Sequence, residues 1–269
     1  MRVALKLAYL GTLYYGFQIQ PDVPTIEGEL FKAFAKLGIF NDPKDANYSA
    51  AGRTDKGVHA ISQVVSFESD RPGLTLPRII NSELPEGIWI WARSEVPGGF
   101  DARRDAIFRE YRYFLYGKGL SLPKIRNASR MFIGTHDFAN FSIKEDKKST
   151  VRTVEKVGVR VDGDFLILDI VADSFARCMV RKIVTALNMI GAGSRNEDWL
   201  CDMLDPKRFE CGIEAASAYG LMLKNVNYDG VTFIEDDYAK KRAVQSFKEQ
   251  FLLHGTMFGV LQDMEYTLK

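Results

Sequence analysis

The chain opens on an alternation. Val3, Leu5, Leu7 and Tyr9 interleave with Arg2, Ala4, Lys6 and Ala8, the period of two that marks a strand with one buried face. Gly11 and Gly16 bracket a loop, and the period then changes. Ile26, Leu30, Phe34 and Leu37 share one stripe of a helix that Thr25 can cap, with Glu27 and Glu29 near its positive end. Next the spacing predicts a short strand over 48–51, a strand over 61–68 and a short helix opened by Pro77 and closed before Pro85. A strand over 88–96 follows, with Trp89 and Trp91 on one face.

Pro97-Gly98-Gly99 reads as a boundary. Beyond it the pattern predicts a strand over 109–116, then a hairpin whose Asp162-Gly163 turn joins strands over 153–161 and 164–172. A helix over 175–190 comes next, capped by Asp173 or Ser174 and stopped by Gly191 and Gly193. On it Phe175, Met179, Ile183 and Ile190 face the core, and Arg177 and Arg181 share another face at i,i+4 spacing. The tail over 235–251 has a charged helical pattern. Both halves mix strands with helices, so the expected fold class is α+β. We place an N-terminal unit at 1–104 and a C-terminal unit at 105–269.

With 269 residues, 46% hydrophobic and 26% charged, the chain can bury a large core without disulfides or metal. Cys178, Cys201 and Cys211 form no CxxC pair, and His59, His136 and His254 are scattered, which argues against a disulfide framework and a zinc site. No apolar run approaches the roughly 18 residues of a membrane helix, and the N-terminus lacks a signal-peptide core. The expectation is a reduced, cytoplasmic enzyme. Formal net charge is only +1, but residues 101–160 carry fourteen Lys or Arg against seven Asp or Glu. Arg103, Arg104, Arg109, Arg112, Arg126, Arg130, Lys144, Lys147, Lys148 and Arg152 belong to this excess. It reads either as a surface for a polyanion or as an ordinary solvated face.

The stretch richest in chemistry is Ala50-Ala51-Gly52-Arg53-Thr54-Asp55-Lys56-Gly57-Val58-His59-Ala60. Glycines flank a polar tip between two strands, a setting that can present a carboxylate to a ligand with Arg53 close by. By spacing alone, a surface turn in which Asp55 bonds its own backbone is the simpler reading.

These residues resemble the G-R-T-D-x-G-V-H-A signature of the TruA family of tRNA pseudouridine synthases. Five further stretches follow in family order. Tyr9-Leu10-Gly11-Thr12-Leu13-Tyr14-Tyr15-Gly16-Phe17-Gln18-Ile19-Gln20 is similar to Y-D-G-x-x-Y-x-G-W/F-Q-x-Q, with Leu10 where the family often has aspartate. Arg109-Glu110-Tyr111-Arg112-Tyr113 resembles R-x-Y-x-Y, and Gly134-Thr135-His136-Asp137-Phe138 with Phe141 resembles G-x-H/N-D-F-x-x-F. Phe175-Ala176-Arg177-Cys178-Met179-Val180-Arg181 resembles F-x-x-x-M-V-R, with Arg177 and Cys178 where the family often has histidines. Ala218-Tyr219-Gly220-Leu221 resembles A-x-G-L.

The resemblance implies two α+β subdomains whose antiparallel sheets lie side by side with an active-site cleft between them. It implies isomerisation of uridine to pseudouridine at positions 38–40 of the tRNA anticodon stem-loop, without metal or organic cofactor, by a homodimer. Asp55 would be the nucleophile, Arg181 its ion-pair partner, Tyr111 the ring that stacks on the flipped base and Arg53 a holder of the nucleotide or its phosphate. Other uridines, or RNA binding without turnover, are the alternatives. Tyr14, Tyr15, Phe17 and Gln18 are weaker candidates for RNA contact.

Overall fold

The N-terminal alternation becomes β1 (Arg2–Tyr9), but both of its faces are buried rather than one. A computed structural model shows why. It describes residues 1–145, 148–208 and 212–269; Lys147 and Cys211, named above, lie outside the described residues. The elements that follow β1 are α1 (Ile26–Leu37), β2 (Ser49–Ala50), β3 (His59–Glu68), α2 (Pro77–Asn81) and β4 (Ile88–Glu95). The second half holds β5 (Ala106–Tyr116), α3 (Leu122–Arg130), β6 (Gly134–Asp137), β7 (Val151–Asp162), β8 (Phe165–Ala172), α4 (Met179–Gly191) and α5 (Glu197–Leu204). The chain closes with β9 (Leu221–Tyr228), β10 (Ile234–Glu235) and α6 (Asp237–Leu268).

The strands form one ten-stranded sheet in the order β10-β4-β1-β3-β9-β5-β8-β7-β6, with β2 on β3. One face of β1 lies against α1 through Ile26, Leu30 and Phe34. The other is covered by Trp89 on β4 and by Ala243 and Phe247 of α6, which pack on Ala8. Lys6 points to that covered side and keeps its ammonium 4.7 Å from the Phe233 ring and 5.6 Å from the Trp91 ring, so its alkyl stem is buried while the charge meets aromatic faces.

Pairing is antiparallel everywhere except at the centre, where β3 meets β9 in parallel through His59↔Met222 and Ala60↔Leu223. Packing divides at this seam. One core gathers α1, β1, β3 and β4; the other gathers α3, α4, α5 and the inner faces of β5 and β8. Leu223, Val226 and Tyr228 of β9 belong to the first core, although β9 runs beside β5 of the second half. Tyr111 touches both cores. The arrangement is mixed α/β and rich in antiparallel pairing.

Two helices depart from their expected bounds. Thr25 caps α1 as expected, accepting from the Gly28 amide at 3.2 Å. α4, however, begins at Met179, four residues later than the pattern predicts. Cys178 takes a left-handed backbone, φ 63°, which a continuing right-handed helix cannot contain. Asp173 therefore caps no helix, and Arg177 lies outside α4. α6 runs to Leu268 rather than 251, capped by Asp236 on the Ala239 amide at 3.0 Å. From Phe251 onward every residue is exposed. None of the described helices is long and apolar enough to cross a membrane.

Candidate active site

The turn after β2 is held from three sides. The Ala51 amide donates to the Val64 carbonyl at 2.8 Å, and the Gln63 side-chain amide donates to the Gly52 carbonyl at 2.8 Å. From the N-terminal loop, the Phe17 amide donates to the Thr54 carbonyl at 3.0 Å. Beneath it the buried Tyr9 hydroxyl lies 2.8 Å from the Thr54 hydroxyl. The turn closes with the Val58 amide donating to the Asp55 carbonyl at 3.1 Å, and Gly57 takes φ +83° there. The Asp55 side chain is thus left free of its own backbone, so the ordinary self-bonded turn is not what forms.

Separate sequence motifs prove to be one packed knot. A Cβ on Gly11 would sit 2.1 Å from the Val58 carbonyl oxygen, and one on Gly57 would sit 3.3 Å from Ala218 and Tyr219. His59 joins the same three segments. Its Nδ1 accepts from the Gly11 amide at 3.3 Å, and burial pulls its pKa down while the Tyr219 backbone opposes this.

From across the seam comes α4. In its first turn Met179 and Val180 point into the core, which leaves Arg181 aimed at the cleft. Its Nη1 donates to Asp55 Oδ2 at 3.2 Å, with both side chains partly exposed. Its Nε donates to the Ala216 carbonyl at 2.6 Å, and the Ala216 amide donates back to the Arg181 carbonyl at 3.2 Å. The guanidinium is therefore oriented by backbone before it meets the carboxylate, the planar-fork geometry in which arginine differs most from lysine. The Cys178 thiol donates to the same Oδ2 at 3.3 Å. Among the described residues Oδ1 has no hydrogen-bond partner.

Tyr111 stands on β5, its ring edge-on to Phe175 at 5.0 Å. Burial raises its phenol pKa strongly, and the charge of Asp55 adds to the effect, so it is a neutral ring beside the carboxylate. Tyr113, two residues on, is buried and donates to the Ser217 carbonyl at 2.9 Å, which steadies the segment that orients Arg181. The two tyrosines share one face of the strand, Tyr111 touching both cores and Tyr113 buried in the second.

Other sequence candidates fall elsewhere. Arg53 is exposed and makes no ion pair with Asp55 among the described residues; its charge acts instead on Glu27 and Glu145. Tyr14 and Phe17 are buried in the N-terminal core and unavailable to RNA. Their chain neighbours Tyr15 and Gln18 are exposed, and the Lys56 ammonium sits 3.7 Å from the Tyr15 ring. The basic excess does not form a single face. Arg109 is buried and donates to the carbonyls of Ala51, Arg103, Ala106 and Asp173, tying the signature turn to the second half. Arg112 is paired with Asp169 at 2.7 Å. Arg103, Lys148, Arg152 and Arg177, by contrast, line a small cleft with Phe175.

The chain is similar to known proteins along nearly its whole length. Residues 128–229 match a family profile described as tRNA pseudouridine synthase. A tRNA pseudouridine synthase A of Methanosarcina barkeri is 56% identical over 265 residues, covering 98% of each chain. Its counterpart in Methanocella arvoryzae is 48% identical over the full length of both, and that of Archaeoglobus fulgidus is 42% identical over 96% of this chain and 95% of its own. A solved Cbf5-Nop10-Gar1 complex aligns at 14% identity and a TM-score of 0.36, covering 69% of this chain and 45% of that one, too slight a likeness to bear on function. Near-complete coverage at this identity places the chain in the tRNA pseudouridine synthase A family, whose members are isomerases.

Proposed function

We propose that this enzyme converts uridine to pseudouridine at positions 38–40 of the tRNA anticodon stem-loop, with Asp55 as nucleophile and no cofactor. The observation that carries the reading is the convergence on Asp55: Arg181 holds one carboxylate oxygen at 3.2 Å, and the Tyr111 ring stands beside it across the same seam.

The reaction breaks the C1′–N1 bond, turns the detached uracil and forms a C1′–C5 bond; the proton lost from C5 is balanced by one gained at N1. Atoms and electrons are conserved, so a carboxylate with an oxygen free for the substrate is sufficient. That oxygen either attacks C1′ or removes the 2′ proton, and Oδ1 serves both routes. Arg181 sets a positive charge beside that carboxylate. A uridine in a helical stem must leave its stack first, and Tyr111 offers the flipped base a ring, a contact worth about 1–3 kcal/mol in single-strand binders. Arg53, at the exposed rim, holds the nucleotide or its phosphate. The cleft lined by Arg103, Lys148, Arg152 and Arg177 continues the path for the backbone, so binding weakens steeply with salt. The working unit is a cytoplasmic homodimer.

The test is to incubate the enzyme with uridine-labelled tRNA transcripts and map the products. Pseudouridine confined to the anticodon arm is expected. Product elsewhere in the tRNA would keep the chemistry and reject the target, and no product in any transcript would reject both.

A further inference from the structure

Three residues other than glycine have a left-handed backbone among the described residues: Asp22, Asn47 and Cys178. Aspartate and asparagine visit that region readily because their short polar side chains bond locally, whereas other residues are strained there. Nine glycines occupy it in the same chain, so glycine is this protein's usual solution. Cys178 is the exception, and it stands at the start of α4, between Arg177 and the helix that carries Arg181.

Backbone strain that persists at an active site is a pointer to function when the side chain it retains does something glycine could not. Here the retained side chain donates to Asp55 Oδ2 at 3.3 Å, beside the Arg181 Nη1 donor at 3.2 Å. We propose that Cys178 is a positioning residue for the isomerisation: its thiol and Arg181 together clamp Oδ2, fixing the rotation of the carboxylate so that Oδ1 faces the substrate. The inference rests on the reading of Asp55 given above.

One donor alone fixes a distance but leaves the carboxylate free to rock about it. Two donors three residues apart at one helix start, Cys178 at its cap and Arg181 in its first turn, fix its plane. The thiol suits the task because it stays protonated. Burial, and then the neighbouring Asp55 charge, push it up to about 11, so it donates and does not compete as a nucleophile.

The test compares Cys178→Gly, Cys178→Ser and Asp55→Ala in the full-length enzyme with tRNA transcript, measuring kcat, KM and the melting temperature. Cys178→Gly removes strain and donor together. It should melt at or above the wild-type temperature, yet lose about tenfold in kcat, the worth of one hydrogen bond to a charged group, with KM for tRNA unchanged. Cys178→Ser restores a donor and should recover most of the lost kcat. A glycine variant with wild-type kcat, one that melts lower than wild type, or a serine variant as slow as the glycine would each overturn the proposal. If Asp55→Ala retains turnover, the underlying reading fails instead; if it is inactive while Cys178→Gly is unimpaired, only the positioning role falls.

Discussion

Arg181 reaches Asp55 from 126 positions away in the chain, and its approach is set before the two meet. The bond to the Ala216 carbonyl and the buried Met179 and Val180 leave the guanidinium one direction to point. Lysine could supply the charge, but its three N–H groups sit on one nitrogen and cannot hold both partners as the planar fork of Nε and Nη1 does. Arg181→Met should therefore lower kcat on the order of a hundredfold, comparable to losing one preorganised active-site donor, and Arg181→Lys should recover only part of that loss. Steady-state kinetics on a tRNA transcript check this; near-complete rescue by lysine would mean that charge alone matters. Asp55, Arg181 and Tyr111 were legible in the sequence only because their motifs stand in a known order. By periodicity Arg181 is only a position on the helix face it shares with Arg177, since the partner that gives it meaning comes from across the seam. In the sequence Cys178 stands out only as one of three cysteines without a CxxC partner and as a departure from the family pattern. Its left-handed backbone depends on tertiary packing, and a cysteine carries no local signal for it.

Elements that pack along their length were the easiest to read. α1 has its cap, its acidic first turn and its apolar stripe, and the structure shows all three. The Asp162-Gly163 hairpin and the strand that became β3 were equally plain. At β1 alternation reports one buried face, while Ala8 is small enough to be buried on the other under Trp89, Ala243 and Phe247. α6 runs past its expected end at 251 for a different reason: Leu253, Met257, Leu261, Met264 and Leu268 continue an apolar stripe at helical spacing, although every residue from Phe251 onward is exposed. Glycines in the knot around the active site acquire their meaning from the same packing. Gly11→Ala places a methyl 2.1 Å from the Val58 carbonyl oxygen, so the loop or the signature turn must move. Such overpacking costs about 1–3 kcal/mol. A lower melting temperature together with reduced turnover is expected. Gly98→Ala, where a Cβ would have open space, should stay within about 0.5 kcal/mol of wild type. Equal stability of the two variants in thermal melts would show that the knot is looser than described.

The fold explains why the Asp55 carboxylate lies at the seam. The two cores meet where β3 and β9 share only two residue pairs, and the turn before β3 presents Asp55 just there. Arg181 and Tyr111 come from the other side, so assembling the sheet assembles the site. None of this is visible as spacing: β9, which joins the halves, has no counterpart among the elements the pattern predicts. The account stands or falls on Asp55. Its most direct test is a single-turnover assay of Asp55→Ala with uridine-labelled tRNA, paired with a binding measurement on the same transcript. No pseudouridine with tRNA affinity close to wild type is the predicted result; substantial product from the folded variant would contradict it.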